Sequence, residues 1–183
     1  MRILRAVTLT TLVLGLVTPA RAAEQQHCSY RLVPVDQVGT VTTAELELIG
    51  CFTSFRQAIE VGSGGSVDIA PTESPATLTD GDLTVSVAAA DVLIGTEYNL
   101  VGFAGTSHSY FASTTCTSVT TWQVSYVTDA WNDLFSSGKG FGGCDTNRKF
   151  EHSNFGGAVK TCTPNCSDYG ALSNEVSSLR WRV

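Results

Sequence analysis

The stretch Tyr98-Asn-Leu-Val-Gly-Phe103-Ala-Gly105 is repeated in outline by Phe150-Glu-His-Ser-Asn-Phe155-Gly-Gly157. Both copies have an aromatic residue, a Phe after four intervening residues and a Gly after one more. The opening aromatic residue and the Phe can lie on opposite sides of a folded hairpin, and the Gly suits a backbone angle that a Cβ would oppose. The sequence therefore predicts two folded β-hairpins, one in each copy of an internal repeat.

Each copy of the repeat ends in a polar turn. The first closing turn is Asn132-Asp133-Leu-Phe-Ser136-Ser137, and the second is Ser173-Asn174-Glu-Val-Ser177-Ser178. Short Asn and Asp side chains bond their own backbone in turns, while paired Ser hydroxyls can reach a neighbouring loop. One repeat alone would bury only one face of its strands, so two stacked repeats predict a sandwich.

The hairpin and closing-turn motifs together resemble the βγ-crystallin superfamily, in which paired Greek keys form a small two-sheet wedge and many microbial members bind calcium. The resemblance covers roughly residues 92–183, with keys at about 92–143 and 144–183. It implies a mainly β fold, in which a small α+β region over residues 23–91 precedes the βγ-crystallin-like sandwich.

The same resemblance implies calcium sites in the closing turns. The family signature (Asn/Asp)-(Asn/Asp)-x-x-(Ser/Thr)-Ser is complete in the first turn, whereas the second has Ser173 at its first position. In the family each ion takes ligands from a closing turn of one key and a hairpin carbonyl of the other. The implied sets are Asn132, Asp133 and Ser136 with the carbonyl near Ser153, and Ser173, Asn174 and Ser177 with the carbonyl near Val101.

The chemistry of these side chains agrees with calcium, which takes hard oxygen ligands from carboxylates, amides, hydroxyls and backbone carbonyls. With a single carboxylate in the first turn, we expect weak binding, with a Kd of about 10⁻⁴ to 10⁻³ M. The alternative interpretation is that both turns only hold the sandwich together, as in crystallin relatives that no longer bind metal.

Residues 1–22 predict a signal peptide, because Arg2 and Arg5 precede an apolar run that ends at Ala20-Arg21-Ala22. We therefore expect a secreted, extracellular protein. Without this segment the chain has 8 basic and 17 acidic residues and a net charge of about −9. Such a chain repels phosphate backbones, so nucleic acid is not an expected partner. No second apolar run reaches the roughly 20 residues that cross a bilayer, so no membrane partner is expected either.

All six cysteines lie after the predicted signal peptide. An even number in an oxidising compartment predicts three disulfides, for which fifteen connectivities are possible. Proximity in the sequence favours Cys28 with Cys51 and Cys162 with Cys166, which leaves Cys116 with Cys144. The alternative, a redox or zinc site at 162–166, lacks the C-x-x-C spacing and a nearby His-x3-His.

The region over residues 23–91 shows two strand patterns and one helix pattern. Residues 28–35 and 43–52 alternate and are rich in β-branched side chains, which predicts a hairpin. Ser54 can cap a short helix that places Phe55, Ala58 and Ile59 on one face. The role of this region is open.

Catalytic chemistry is not predicted. His27, His108 and His152 are far apart in the sequence and are expected at the surface, so no zinc site is assembled from them. No Gly-x-Ser-x-Gly nucleophile motif occurs, and we do not expect an enzyme. The three tryptophans, Trp122, Trp131 and Trp181, are expected in the core or on a sheet face.

Two functions follow from these observations. The first is a secreted calcium-binding protein whose paired keys are stabilised by calcium. A looser resemblance to secreted actinobacterial metalloprotease inhibitors and killer-toxin-like proteins implies the alternative, a protein-binding effector on the same scaffold. Its partner would be an extracellular protease or a cell-surface target.

Overall fold

The structure is a computed structural model that describes residues 26–85 and 91–183; the predicted signal peptide lies outside these residues. The strands are β1 His27–Val38, β2 Val41–Phe52, β3 Val67–Asp68, β4 Thr84–Val85, β5 Val92–Leu100, β6 Ala104–Ala112, β7 Thr121–Val124, β8 Ser137–Gly140, β9 Thr146–His152, β10 Gly156–Cys162 and β11 Ser178–Arg182. Helix α1 spans Phe55–Gly62, and short 3-10 turns cover Asp80–Asp82, Ser153–Phe155 and Gly170–Leu172. The predicted mainly β class is confirmed. No helix among the described residues is long and apolar enough to cross a membrane.

The two repeats complete each other's sheets. The first key contributes the adjacent strands β8, β5 and β6, and the second contributes β10, β9 and β11. Strand β7 belongs to the first key in sequence but pairs with β11 of the second. In return, Cys166 of the second key pairs with Gly138 in β8 of the first. The predicted sandwich of two Greek keys is therefore confirmed.

The N-terminal hairpin is a structural part of this sandwich. Strand β1 runs parallel to β6, and β2 runs parallel to β7, so one hairpin connects the two sheets into a nine-stranded ladder. Without the hairpin, β6 and β7 would each present an unpaired edge, which is a site of aggregation in β proteins. The predicted strands of residues 28–35 and 43–52 are present and are longer than expected.

Helix α1 covers the outer face of the first key's sheet. Ser54 accepts a hydrogen bond from the Gln57 backbone N–H, as predicted, and Phe55 and Ile59 face the sheet. Together with residues of the 67–83 segment they form a second core, separate from the one between the sheets. Lys139 fixes that segment because its Nζ donates to the carbonyls of Ala76 and Leu78, at 2.7 and 2.9 Å.

The prediction of surface histidines is wrong for two of the three. His27 is 7% exposed and shares a hydrogen bond with the Ser107 hydroxyl, and His108 is fully buried beneath the Trp131 ring. Burial lowers the pKa of His108 well below its ordinary value, so the ring is neutral and packs as an aromatic core residue. His152 is exposed, as expected. Trp122 and Trp181 lie in the core, and Trp131 packs against it partly buried.

The two disulfides that proximity favoured, Cys28–Cys51 and Cys162–Cys166, are present, and so is the remaining pair, Cys116–Cys144. The first joins directly opposite residues of β1 and β2, so it holds the hairpin that connects the sheets.

A buried ion pair joins the two keys. The Lys149 ammonium on β9 contacts the Glu97 carboxylate on β5, and both side chains are fully buried. The Tyr169 hydroxyl donates to the second carboxylate oxygen. Burial raises the pKa of Glu97 and lowers that of Lys149, so each group depends on the other to remain charged.

We predict that reduction of the disulfides destabilises the protein more than calcium chelation does. Losing a native disulfide from a small secreted domain costs about 2–5 kcal/mol, whereas a weak calcium site adds about 1 kcal/mol at a few times its Kd. Urea unfolding with reductant, compared with unfolding in chelator, measures both losses. A denatured, unreduced sample that shows six free thiols, or a larger loss in chelator, would contradict this prediction.

We also predict that Lys149→Met lowers the free energy of unfolding by about 3–5 kcal/mol at neutral pH, because it leaves the Glu97 carboxylate buried and unpaired. Losing its cation raises the folded-state pKa of Glu97 further above the unfolded value of about 4.3. When the pKa of a carboxyl is raised in the folded state, the free energy of unfolding falls as pH rises from the unfolded-state pKa through the folded-state pKa. The difference in free energy of unfolding between the variant and wild type should therefore shrink towards pH 4. At neutral pH, the double variant Glu97→Gln/Lys149→Met should lose less of its free energy of unfolding than Lys149→Met does. Equal deficits at pH 4 and pH 7 in urea unfolding would refute this account.

Candidate metal centre

The last serine of each closing turn holds the corresponding hairpin folded over. In both keys its hydroxyl donates to one hairpin carbonyl and accepts from a hairpin N–H. The bonds are Ser137 Oγ to Leu100 O at 2.6 Å and from Phe103 N at 3.0 Å, and Ser178 Oγ to His152 O at 2.7 Å and from Phe155 N at 3.1 Å. The repeated Ser therefore connects the closing turn to the hairpin of its own key.

The spacing of Phe and Gly that the two repeats share has a steric cause. Phe103 and Phe155 have φ angles of 62° and 64°, in the left-handed region, where the chain doubles back. Gly105 and Gly157 also have positive φ. A Cβ on Gly105 would lie 2.1 Å from the Asn99 Oδ1 atom, so a larger residue would clash as well as be strained. The predicted folded hairpins are thus confirmed.

An open pocket lies where the first closing turn meets the second hairpin. It has a volume of about 440 Å³, and polar side chains dominate its lining. The lining residues are Tyr126, Asn132, Asp133, Glu151, His152, Ser153, Glu175 and Ser177. Residues of three segments, one from the first key and two from the second, therefore surround one pocket.

The structure groups the predicted ligands differently from the sequence. Asn132, Asp133 and Ser153 come together in the pocket, but the serine that joins them is Ser177 of the other turn. The Ser177 hydroxyl donates to the Glu151 carbonyl at 2.7 Å, which places it beside the second hairpin.

Ser136 instead lies beside the second closing turn. Its hydroxyl donates to Asn174 Oδ1 at 3.1 Å. Ser136 and Ser177 thus each lie beside the opposite closing turn, because the backbones of the two turns bond each other. Asp133 N donates to Val176 O at 3.3 Å, and Asn174 N donates to Phe135 O at 2.9 Å. This pairing places Ser177 beside Asn132 and Asp133, and Ser136 beside Asn174.

The residues that line the pocket carry oxygen atoms of the kind that suit a hard cation. The Asn132 amide nitrogen donates to Asp133 Oδ2 at 2.7 Å, while its Oδ1 is buried and has no hydrogen-bond partner among the described residues. Such an orphaned carbonyl oxygen is costly unless something binds it. Carboxylates of Asp133, Glu151 and Glu175 line the same space.

These carboxylates do not converge on one point. Within the described residues, no group of three or more His, Cys, Asp or Glu side chains is arranged to hold a metal on its own. A cation in the pocket would therefore need amide, hydroxyl and backbone oxygens in addition. That mixed oxygen set fits calcium better than zinc or copper, which favour nitrogen or sulfur ligands.

The second predicted site differs from the pocket in charge and in bonding. Ser173 donates to the Asp168 carboxylate at 3.0 Å, and Gly170 N donates to the same oxygen at 2.7 Å. These hydrogen bonds lower the pKa of Asp168 and engage the Ser173 hydroxyl elsewhere. Val101 and Asn174 are both exposed. Among its predicted ligands, Ser173, Asn174, Ser177 and Val101, none is a carboxylate.

Sequence reasoning missed Glu151 and Glu175 as pocket residues. Both were visible as acidic positions inside the two motifs, Glu151 directly after the opening Phe150 and Glu175 within the second closing turn. Asn99 occupies the position in the first hairpin that Glu151 has in the second. The acidic residue therefore distinguishes the pocket from its counterpart.

Comparison with known proteins gives structural neighbours only. No family model and no curated protein matches the chain. Among solved structures, a βγ-crystallin from an archaeon is 28% identical, with a TM-score of 0.36, over 49% of this chain and 98% of its own. A βγ-crystallin domain from Clostridium beijerinckii is 20% identical, with a TM-score of 0.37, over 49% and 97%. The N-terminal domain of protein S is 21% identical, with a TM-score of 0.38, over 48% and 93%. The chain is thus similar to βγ-crystallin domains over about half of its length.

We predict that Ser178→Ala lowers the free energy of unfolding by about 1–3 kcal/mol, because the His152 carbonyl and the Phe155 N–H both lose their hydroxyl partner. Ser118→Ala, at an exposed turn position, is the matched control and should stay within about 0.5 kcal/mol of wild type. Urea unfolding of the three proteins measures the difference. Equal free energies of unfolding for the two variants would show that the hydrogen bonds of the Ser178 hydroxyl do not contribute to stability.

Proposed function

We propose that this protein is a secreted calcium-binding protein of βγ-crystallin type, in which calcium stabilises the paired Greek keys. The observation that carries the proposal is the pocket between the two keys, which Asn132 lines together with the second hairpin and Ser177. The Asn132 Oδ1 atom has no hydrogen-bond partner among the described residues. The donor set consists of the oxygen types that calcium prefers.

Asn132, Asp133 and Ser177, with backbone carbonyls of the hairpin near Ser153, would hold the ion, and Glu151 and Glu175 would add negative charge. Calcium would supply a shared positive centre for these oxygens. Because the ligands come from both keys, the ion would be bound only while the keys are docked. A ligand that binds the native state and not the unfolded chain raises the free energy of unfolding.

The second site is expected to be weaker for two reasons. Its polar pair begins with Ser173, whose hydroxyl is engaged by Asp168, and Asn99 replaces the acidic residue of the other hairpin. Fewer charged ligands mean a lower calcium affinity. Ser136 and Asn174, which already bond each other, would have to exchange that bond for the ion.

Secretion is part of the proposal. It is supported by the predicted signal peptide and by three disulfides, which persist in oxidising compartments. N-terminal sequencing of the exported protein should give a chain that begins at Ala23. A chain that retains residues 1–22 after export would contradict cleavage at this position.

We predict that calcium raises the unfolding temperature and that the shift grows with the logarithm of free calcium. The gain should be about 1 kcal/mol at a few times a Kd of about 10⁻⁴ to 10⁻³ M. Calorimetry in chelator and in several millimolar calcium tests this, with magnesium as the control for ionic strength. Superimposable melting curves in chelator and in calcium would refute the proposal.

We predict further that Asp133→Asn removes most of the calcium response, whereas Ser173→Ala removes little. Asn is chosen at position 133 because φ there is 61°, which Asn tolerates while the carboxylate is lost. The readout is the calcium-dependent shift in melting temperature of each variant, relative to its own value in chelator. A larger loss of response from Ser173→Ala would reverse the ranking of the two sites.

A further inference from the structure

The outer face of the second key's sheet carries a cluster of three arginines. In the β9–β11 pair, Arg148 lies directly opposite Arg180, and Arg182 follows two residues later on the same side of β11. The alternate residues Lys149 and Trp181 are fully buried on the inner face. We refer to Arg148, Arg180 and Arg182 as the arginine cluster.

Among the described residues, no carboxylate forms an ion pair with the arginine cluster. The ion pairs between described residues use the cations of Arg31, Arg56 and Lys149. Burial and the nearby charges of Arg148 and Arg182 lower the pKa of Arg180. Three cations therefore repel one another in a chain that has 17 acidic residues available to pair them.

The central guanidinium of the cluster is held in place. Arg180 Nε donates to Gln123 Oε1 at 2.8 Å, and Gln123 Nε2 donates to Thr43 Oγ1 at 2.8 Å. The same guanidinium lies over the Phe155 ring, 4.8 Å from its centroid. These contacts fix the plane of the guanidinium and use only its Nε, so its terminal N–H groups remain available to a ligand.

Arg148 gives the second, independent indication of a ligand. Its Nε is buried and has no hydrogen-bond partner among the described residues. A buried N–H of a charged group without an acceptor is strongly unfavourable. An oxygen acceptor would satisfy it once the side chain shifts to open this atom to a ligand, and a negative charge would also relieve the repulsion with Arg180.

The position of the cluster leaves it accessible. The outer face of the first key's sheet is covered by α1 and the 67–83 segment, whereas the described elements in contact with β9 and β11 are neighbouring strands and the short turns at 153–155 and 170–172. Arg182 and the neighbouring Thr161 are exposed, and Arg148 and Arg180 are partly exposed.

We propose that the arginine cluster binds a tetrahedral oxyanion, a sulfate or phosphate group, either as the free ion or as an ester on a larger ligand. Residues directly opposite on antiparallel strands have Cα atoms about 4.5–5.5 Å apart, so one such group can bridge Arg148 and Arg180. Guanidinium forks bind these oxygens in pairs, through short charge-assisted bonds. This site is independent of the proposed calcium pocket.

The test is a titration of the full protein with sodium sulfate and with sodium phosphate, in calcium-free buffer at constant ionic strength. The arginine Nε–Hε resonances in two-dimensional NMR report binding. We expect saturable shifts for Arg148 and Arg180, and an affinity at least about 10-fold lower in Arg148→Gln, which loses charge-assisted hydrogen bonds. Arg182→Gln, at an exposed position, provides a second variant that does not disturb the core.

Arg56→Gln is the matched control, because it removes the same charge from an arginine that is already paired with Glu60 and Asp68. It should leave the affinity unchanged. A parallel titration with a sulfate or phosphate monoester distinguishes the sources: tighter binding than the inorganic ion indicates an ester ligand, and equal binding the free ion. Shifts that do not saturate with any of these anions, or an equal loss of affinity in Arg56→Gln, would overturn the proposal.

Discussion

The hydroxyl of one serine in each key determines where the rest of the candidate site lies. Ser137 and Ser178 each bond both ends of a hairpin bend, and the residue at that bend, Phe103 or Phe155, has a left-handed backbone. A flat hairpin would leave its carbonyls in a ladder of strand hydrogen bonds. The folded second hairpin lies beside the closing turn of the first key, where its carbonyls could bind an ion.

Several kinds of contact join the two keys. The pocket between them forms only when these contacts hold the whole sandwich together. Strand β7 completes the second sheet, the N-terminal hairpin pairs with both β6 and β7, and the Glu97–Lys149 pair crosses the core. The closing turns also bond each other through backbone atoms. A cation bound by residues of both keys would therefore bind only when the keys are docked. By mass action, its binding would raise the free energy of unfolding.

Local features were predictable from the sequence, because they rest on contacts between near neighbours. The Ser54 cap and the disulfide Cys162–Cys166 belong to this class. The folded hairpins were predicted from the repeated motif, although the serines that hold them, Ser137 and Ser178, lie 23 to 37 residues further along the chain. Long-range pairings were not predictable: no local pattern indicates that β1 lies parallel to β6, or that Ser136 and Ser177 exchange places across the turns. The burial of His108 depends on the same long-range packing, since its neighbours come from other strands and loops. Likewise, alternation places Arg180 and Arg182 on one face, but only the register of β9 with β11 brings Arg148 to them.

The central claim is that calcium binds in the pocket shared by the first closing turn, the second hairpin and Ser177. A crystal grown with calcium, with anomalous data collected at long wavelength, tests it most directly. The account predicts an anomalous peak at about 2.3–2.6 Å from Asn132 Oδ1, with Ser177 and a carbonyl of the second hairpin in the same coordination shell. A map without a peak in this pocket at saturating calcium, or with calcium bound only beside Ser136 and Asn174, would contradict it.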